Sequence, residues 1–325
     1  MRRISAVNGI AGYFGSPRVL RRLALASIIA NIGIVVTGGA VRLTGSGLGC
    51  PTWPRCTEDS YVTTPEMGIY GMIEFGNRLL TFAVGLIALL GILSALAQRP
   101  RRKSLVQLSI LVFLGVPAQA VIGGFTVLTD LNPWVVGLHF LASMAVIAAA
   151  YVFWRAAFEP GETAPAETPA PLRTLSWITT VVSAAVLVVG TWVTGSGPHA
   201  GDQDAKRLGF DPESISQAHV DLVFLLLGLS VALWFAFRAV GATVAARAAL
   251  VLIAVELGQG LIGFVQYFTH LPGILVGAHM LGSCLVWLAT LAVLRATRIH
   301  QPTATTGPAA PSTDDARQPE PVAAH

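Results

Sequence analysis

The chain has 325 residues, 54% of them hydrophobic and only 12% charged. A soluble domain carries about 25% charged residues, so a water-facing globular fold is excluded and a lipid bilayer is the fitting solvent. The net charge of +4 follows from membrane orientation and does not point to nucleic acid.

In chain order, residues 1–21 read as a basic arm. Apolar runs long enough to cross a hydrocarbon core of about 30 Å as helix then fall at 22–41, 69–97, 105–128, 133–156, 172–194, 214–237, 247–268 and 272–294. The first run stands behind the basic arm and is long enough to span, so it reads as a retained helix, not a cleaved signal. Segment 159–171 is a Thr/Ala/Pro/Glu mixture that reads as a linker, and 299–325 reads as a disordered tail. The expected fold class is an all-α integral membrane protein with eight transmembrane helices.

Positive charge near span ends is retained in the cytoplasm. Sixteen of the twenty-one Lys and Arg residues lie in the N-terminal arm, the 2–3, 4–5 and 6–7 connections and the C-terminal side. Arg42, Arg55, Lys206 and Arg207 fall in the alternate connections and Arg78 within a span. Both termini are therefore expected in the cytoplasm of a cell-membrane protein, with connections 1–2, 3–4, 5–6 and 7–8 outside.

The eight spans repeat as two sets of four. Gln119, Ile122, Gly123, Val136-Gly137-Leu138-His139 and Ser143 recur as Gln259, Ile262, Gly263, Val276-Gly277-Ala278-His279 and Ser283. Thr44-Gly45-Ser46-Gly47 recurs as Thr194-Gly195-Ser196-Gly197. This predicts two tandem four-helix bundles in one orientation, over 22–158 and 172–298. His219 precedes His279 by 60 residues, and the residue 62 before His139 is Asn77. The first half thus lacks one imidazole.

His139, His219 and His279 lie six, seven and seven residues after Pro133, Pro212 and Pro272, about 9–10 Å along their helices. Such residues need partners inside a bundle, by interhelical hydrogen bonds or by binding a metal. Two imidazoles from facing helices suit a porphyrin, and Gly137 and Gly277 offer room for something flat. Zinc fits poorly, because each half offers at most two such ligands. His199 and His270 are expected in external loops, and His300 and His325 at the cytoplasmic end, all solvated.

Glu74, in Met72-Ile73-Glu74-Phe75-Gly76-Asn77-Arg78, is either an ion-pair partner of Arg78 or a catalytic carboxylate. Glu256 and Asp221 raise the same question with less context. Arg42 and Arg78 are candidates to pair with the propionates of a haem. Cys50 and Cys56 bracket Pro51-Thr52-Trp53-Pro54-Arg55 outside the membrane, where a disulfide forms readily. It is either a staple or a redox pair, and the short Pro-stiffened closure favours redox. Cys284 reads as a packing residue.

Over about residues 20–298 the chain resembles the haem A synthase family. The resemblance is carried by Gly38 to Pro51 with Trp53 and Cys56, by Glu74 to Arg78, by the Gly-Leu-His and Gly-Ala-His segments ending at His139 and His279, and by Gln217-Ala218-His219. It implies oxidation of the haem O C8 methyl group to a formyl, by successive hydroxylations and loss of water from a gem-diol, for cytochrome oxidase. It further implies a haem b cofactor on His219 and His279. The substrate haem would sit on His139, near Glu74, with the cysteine pair contributing to activity. Its implied partners are a haem O-producing farnesyltransferase, an electron donor or acceptor of unspecified identity, membrane lipid and an open question of homo-oligomerisation.

The sequence departs from the family at Asn77, where histidine is usual, and lacks a second external cysteine pair that some members have. With Asn77 in place of a sixth ligand, the substrate haem is expected to be five-coordinate on His139, its open face near Glu74 and Asn77. The competing reading is a non-enzymatic, cytochrome b-like membrane electron carrier, and a transporter is third. Glu74 beside a vacated ligand position favours the enzyme, and the lack of broken helices disfavours transport.

Overall fold

The computed structural model describes residues 12–159 and 168–298. The arm up to residue 11 with Arg2 and Arg3, linker residues 160–167, and the tail 299–325 with His300, Arg317 and His325 lie outside the described residues. Eight α-helices account for most of the rest: α1 Pro17–Leu43, α2 Gly68–Ala97, α3 Lys103–Leu128, α4 Pro133–Ala156, α5 Ala170–Ser196, α6 Pro212–Ala239, α7 Thr243–Phe268 and α8 Gly273–Ala296. No strand occurs among the described residues. All eight are long and apolar enough to cross a bilayer, and side chains such as Ile29, Phe82, Val181, Leu261 and Ile274 face outward. The chain is a multi-pass membrane protein.

Helix starts follow from local chemistry. Asn132 caps α4, its side chain accepting from the Trp134 N–H at 3.0 Å, with Pro133 in the first turn. Asp211 caps α6 by accepting from the Ser214 N–H at 2.8 Å and the Ser214 hydroxyl at 2.7 Å, which holds its carboxyl below the usual range. α1 begins at Pro17, so the last residues of the expected basic arm are already helical. α3 carries Pro117 inside it and remains one helix.

One turn is built twice. After α3, the Thr129 N–H donates to Phe125 O at 3.1 Å and the Leu131 N–H to Thr126 O at 2.8 Å; after α7, Thr269 and Leu271 bond to Val265 O at 3.0 Å and Gln266 O at 2.8 Å. In both turns two consecutive non-glycine residues are left-handed: Asp130 and Leu131 (φ 51° and 56°), then His270 and Leu271 (φ 63° and 60°). Each such residue is unfavourable by roughly 1–2 kcal/mol, so tertiary packing holds the turns. Their shared geometry sets α4 against α3 and α8 against α7 in the same register.

α1 packs on α2 and α4, α2 on α3, and α3 on α4; α5 to α8 close a second ring in the same way. The rings meet through α1 and α4 on α8, and α4 on α5. Each ring has a dense core at the end bearing the 2–3, 4–5 and 6–7 connections. In the first ring this is Leu20, Ala88, Leu105, Val112 and Phe153; in the second, Leu233, Phe237, Ala249, Leu252 and Val293. Val35, Met144, Ile147 and Cys284 pack between the rings, so Cys284 is the packing residue its position suggested. The histidines stand toward the opposite ends, beyond these cores.

Two polar ties join the rings away from the histidines. At the linker, the Glu159 carboxylate accepts from Arg295 and its carbonyl accepts from Arg102 at 2.6 Å. Between α8 and α4, the Trp287 indole N–H donates to Met144 O at 3.0 Å. Trp287→Phe keeps the ring and loses that bond, and is expected to lower stability by about 1 kcal/mol in a denaturation titration of the detergent-solubilised protein; an unchanged midpoint would show that the bond does not help to join the rings.

Candidate functional site

Three histidines lie against glycines of the preceding helix. A β-carbon at Gly190 of α5 would stand 3.2 Å from His219 Cε1, one at Gly263 of α7 3.2 Å from His279 Cε1, and one at Gly123 of α3 3.3 Å from His139 Cε1. Each glycine therefore makes room for a ring. Gly38 of α1 relates more loosely to Asn77, 3.7 Å from its Nδ2, and Asn77 Oδ1 accepts from the Thr37 hydroxyl at 2.7 Å. With Thr44 set on Thr194, Gly38 aligns with Val188 and Gly190 with Ala40, so Asn77 meets α1 at a different point from that where His219 meets α5, and only its spacing relates it to His219.

Gly137 and Gly277 do not serve that purpose. Gly137 faces Thr191 of α5 and Gly277 faces Leu43 of α1, at the seam between the rings. Two residues are about 200° apart around a helix, so neither can share a face with the histidine two positions later. Of the glycines that do meet the rings, Gly123 and Gly263 were identified in the sequence only as part of the repeat and Gly190 was not identified, because their facing depends on interhelical register.

His219 on α6 and His279 on α8 belong to the same ring of four helices. The Nδ1 atoms of His139 and His279 are buried without a hydrogen-bond partner. Unsatisfied imidazoles at this depth are unfavourable. Among the described residues no three His, Cys, Asp or Glu side chains gather at one point, so metal ligands come singly or in pairs. Two imidazoles from facing helices, each lodged on a glycine, fit the axial ligation of a haem.

The end of the first ring nearer the histidine level is covered by the loop after α1. Cys50 and Cys56 form a disulfide with Cα atoms 4.4 Å apart, both fully buried. Trp53 lies flat on Gly124 of α3, where any side chain would overlap the indole. Glu74, 5% exposed, accepts from the Cys50 N–H through Oε2 at 2.6 Å and from Arg78 through Oε1 at 2.6 and 3.1 Å. Arg78 also donates to the carbonyls of Arg55, Cys50 and Thr52 at 3.0–3.1 Å. The pair holds the disulfide loop down on α2, one helical turn outside Asn77.

A family model described as cytochrome oxidase assembly protein matches residues 21–201, more than half of the chain and all of the first ring. This chain belongs to the cytochrome oxidase assembly protein family. Curated relatives named heme A synthase include those of Exiguobacterium sibiricum, 28% identical over 50% of this chain and 55% of the relative, and of Symbiobacterium thermophilum, 27% identical over 55% and 60%. That of Geobacillus kaustophilus is 30% identical over 45% of this chain and 46% of its own length. The matched part spans about half the length of these relatives.

Within this family member, Arg42 joins the two rings. Its Nε donates to the His199 carbonyl at 2.5 Å and its Nη2 to Thr194 O at 2.8 Å. The Gly47 N–H donates to Gly201 O at 2.9 Å, and Leu131, Ala200 and Ala205 pack beside it. The Arg42 partners are neutral, so its charge is uncompensated there; Arg78 is already paired with Glu74. His199 is part-buried, its Nε2 2.9 Å from Leu271 O, and thus differs from the solvated role expected for it. Sequence reasoning missed this tether because it joins residues 72 apart on separate loops.

Glu256 bonds Ser230 at 2.9 Å between α6 and α7, while Asp221 is exposed and accepts from Gln217 at 2.7 Å. Neither approaches the histidine sites through any of these bonds. Glu74→Gln removes the charge that holds Arg78 over the loop. The variant is expected to let a water-soluble phosphine reduce Cys50–Cys56 about tenfold faster, the effect of about 1.4 kcal/mol; a wild-type rate would show that Glu74 does not clamp the loop.

Proposed function

We propose that this protein is a haem A synthase that oxidises the C8 methyl of haem O to a formyl, giving haem A for cytochrome oxidase. The observation that carries the reading is the pairing of one complete and one incomplete imidazole site on the same scaffold. His219 and His279 both lie on glycines in the second ring, whereas the first offers His139 with Asn77 opposite. The relatives' printed names supply the reaction class.

In this reading residues 172–298 hold haem b through His219 and His279, and it supplies one-electron transfer when bound. Residues 22–158 hold the substrate haem through His139. Asn77 leaves the other face of the substrate open for oxidation, since its Oδ1 is already engaged by Thr37. Glu74 acts beside that face as the catalytic carboxylate, with the Arg78 pair keeping it oriented. Arg42 and Arg78 line the outer level, where propionates would meet positive charge. The cysteine pair closes the site against outside water, which favours reaction over leakage.

The methyl carbon passes through an alcohol and a gem-diol, and loss of water leaves the formyl. Each of the two hydroxylations takes its oxygen from water, releases two protons and hands two electrons to an acceptor that the protein meets in the membrane. Arginine distribution supports placement in the cell membrane with both termini cytoplasmic and the disulfide loop outside. A haem O-producing farnesyltransferase is the natural supplier of so apolar a substrate.

Acid extraction and chromatography of pigment from purified protein distinguish the enzyme, which would carry haem O or haem A beside haem b, from a cytochrome b-like carrier holding haem b alone. His219→Ala and His279→Ala are expected to abolish the low-spin haem b spectrum; a retained spectrum overturns the ligand assignment. Asn77→His is expected to convert first-ring haem from high to low spin and to slow haem A formation at least about tenfold. Unchanged activity overturns the open-face role of Asn77.

A further inference from the structure

One glutamine is used differently in the two rings. Gln119 on α3 and Gln259 on α7 each stand twenty residues before a histidine and one turn before the glycine that touches its ring. Gln259 donates through Nε2 to the His279 carbonyl at 2.7 Å. Gly282 permits this, because a β-carbon there would overlap Gln259 Oε1.

The first ring has Ala142 three residues after His139, where the second has Gly282 three after His279. The methyl takes the space that Gln259 uses. The His139 carbonyl accepts from the Ser143 hydroxyl at 3.0 Å instead, whereas Ser283 bonds Met280 O at 2.7 Å. Gln119 is left with Nε2 and Oε1 both buried and both without a partner.

Burying an amide with neither group satisfied is unfavourable by about 1–3 kcal/mol. We propose that Gln119 is a substrate-recognition residue that hydrogen-bonds a hydroxyl on a side chain of the substrate porphyrin. An amide presents one acceptor and two donor hydrogens, which matches a hydroxyl, itself donor and acceptor. A carboxylate would call for a cation, and a methyl or vinyl group would leave the amide unpaired. In the ring proposed to hold haem b, which has no hydroxyl, the equivalent glutamine gives its amide N–H to backbone, and only its Oε1 is left buried without a partner. The proposal rests on the reading that the first ring holds the substrate.

Two hydroxyls qualify: the one on the isoprenoid chain of haem O, and the one that oxidation places on the C8 methyl carbon. The test titrates full-length protein with haem O and with haem b, and measures the ratio of alcohol to formyl product, in wild type, Gln119→Leu and Ala142→Gly. Ala142→Gly keeps the glutamine but opens the backbone bond that Gln259 makes. Intact haem b absorbance from the second ring reports that each variant is folded.

If the isoprenoid hydroxyl is recognised, both variants lose about tenfold in haem O affinity with haem b affinity changed by less than about twofold. If the new hydroxyl is recognised, affinities hold and alcohol accumulates over formyl. Equal losses for the two haems, or wild-type affinity and product ratio in both variants, overturn the proposal. A wild-type protein that discriminates the haems through Gln119 but forms no oxidised product overturns the synthase reading alone. Gly282→Ala, the converse change in the second ring, is expected to leave haem O discrimination unchanged.

Discussion

An imidazole inside a hydrocarbon-bounded bundle needs space beside its ring and a partner for its nitrogens, and glycine supplies the space. Gly123, Gly190 and Gly263 each take a histidine ring of the next helix at van der Waals distance. Everything else at this level depends on those contacts. The dense aliphatic cores lie at the far ends of the rings, so the bundles are tied where loops are basic and leave the histidine level to polar groups. The Nδ1 atoms of His139 and His279 are buried there without a partner, and ligand binding fixes and polarises such rings.

The loops at the histidine end are held by charge and backbone hydrogen bonds more than by apolar packing. Glu74 and Arg78 grip the disulfide loop through the Cys50 N–H and three carbonyls. Glu74 therefore has a structural task that a catalytic role must coexist with. Arg42 grips the loop of the other ring through the Thr194 and His199 carbonyls. Its aligned place in the second half is Trp192, which packs with Trp134 and Phe210. One position of an ancestral repeat thus became a cationic tether in one half and part of an aromatic cluster in the other.

Divergence at a few positions gives two related rings different polar groups at the histidine level. Asn77 replaces an imidazole, and Ala142 replaces a glycine and thereby releases Gln119 from the backbone. A single methyl decides whether a glutamine satisfies a helix carbonyl or is available to a ligand. The repeated turn at Asp130-Leu131 and His270-Leu271 keeps α3–α4 and α7–α8 in one register, so these substitutions act on an otherwise constant frame.

Eight spans, the two-fold repeat, the common depth of His139, His219 and His279 and the gap at Asn77 were legible in the sequence alone. Apolar run length and residue spacing are properties of the chain itself, and bilayer thickness converts them directly into helices and depth. Which glycine meets which ring was not legible, and Gly137 and Gly277 were the wrong choice because helical phase turned them to the seam. The engagement of Arg42 with the second ring, the tether at His199 and the isolation of Gln119 were likewise decided only by tertiary structure. These depend on how far each helix is rotated about its axis against its neighbours, and that rotation is set by side chains meeting across helices distant in the chain.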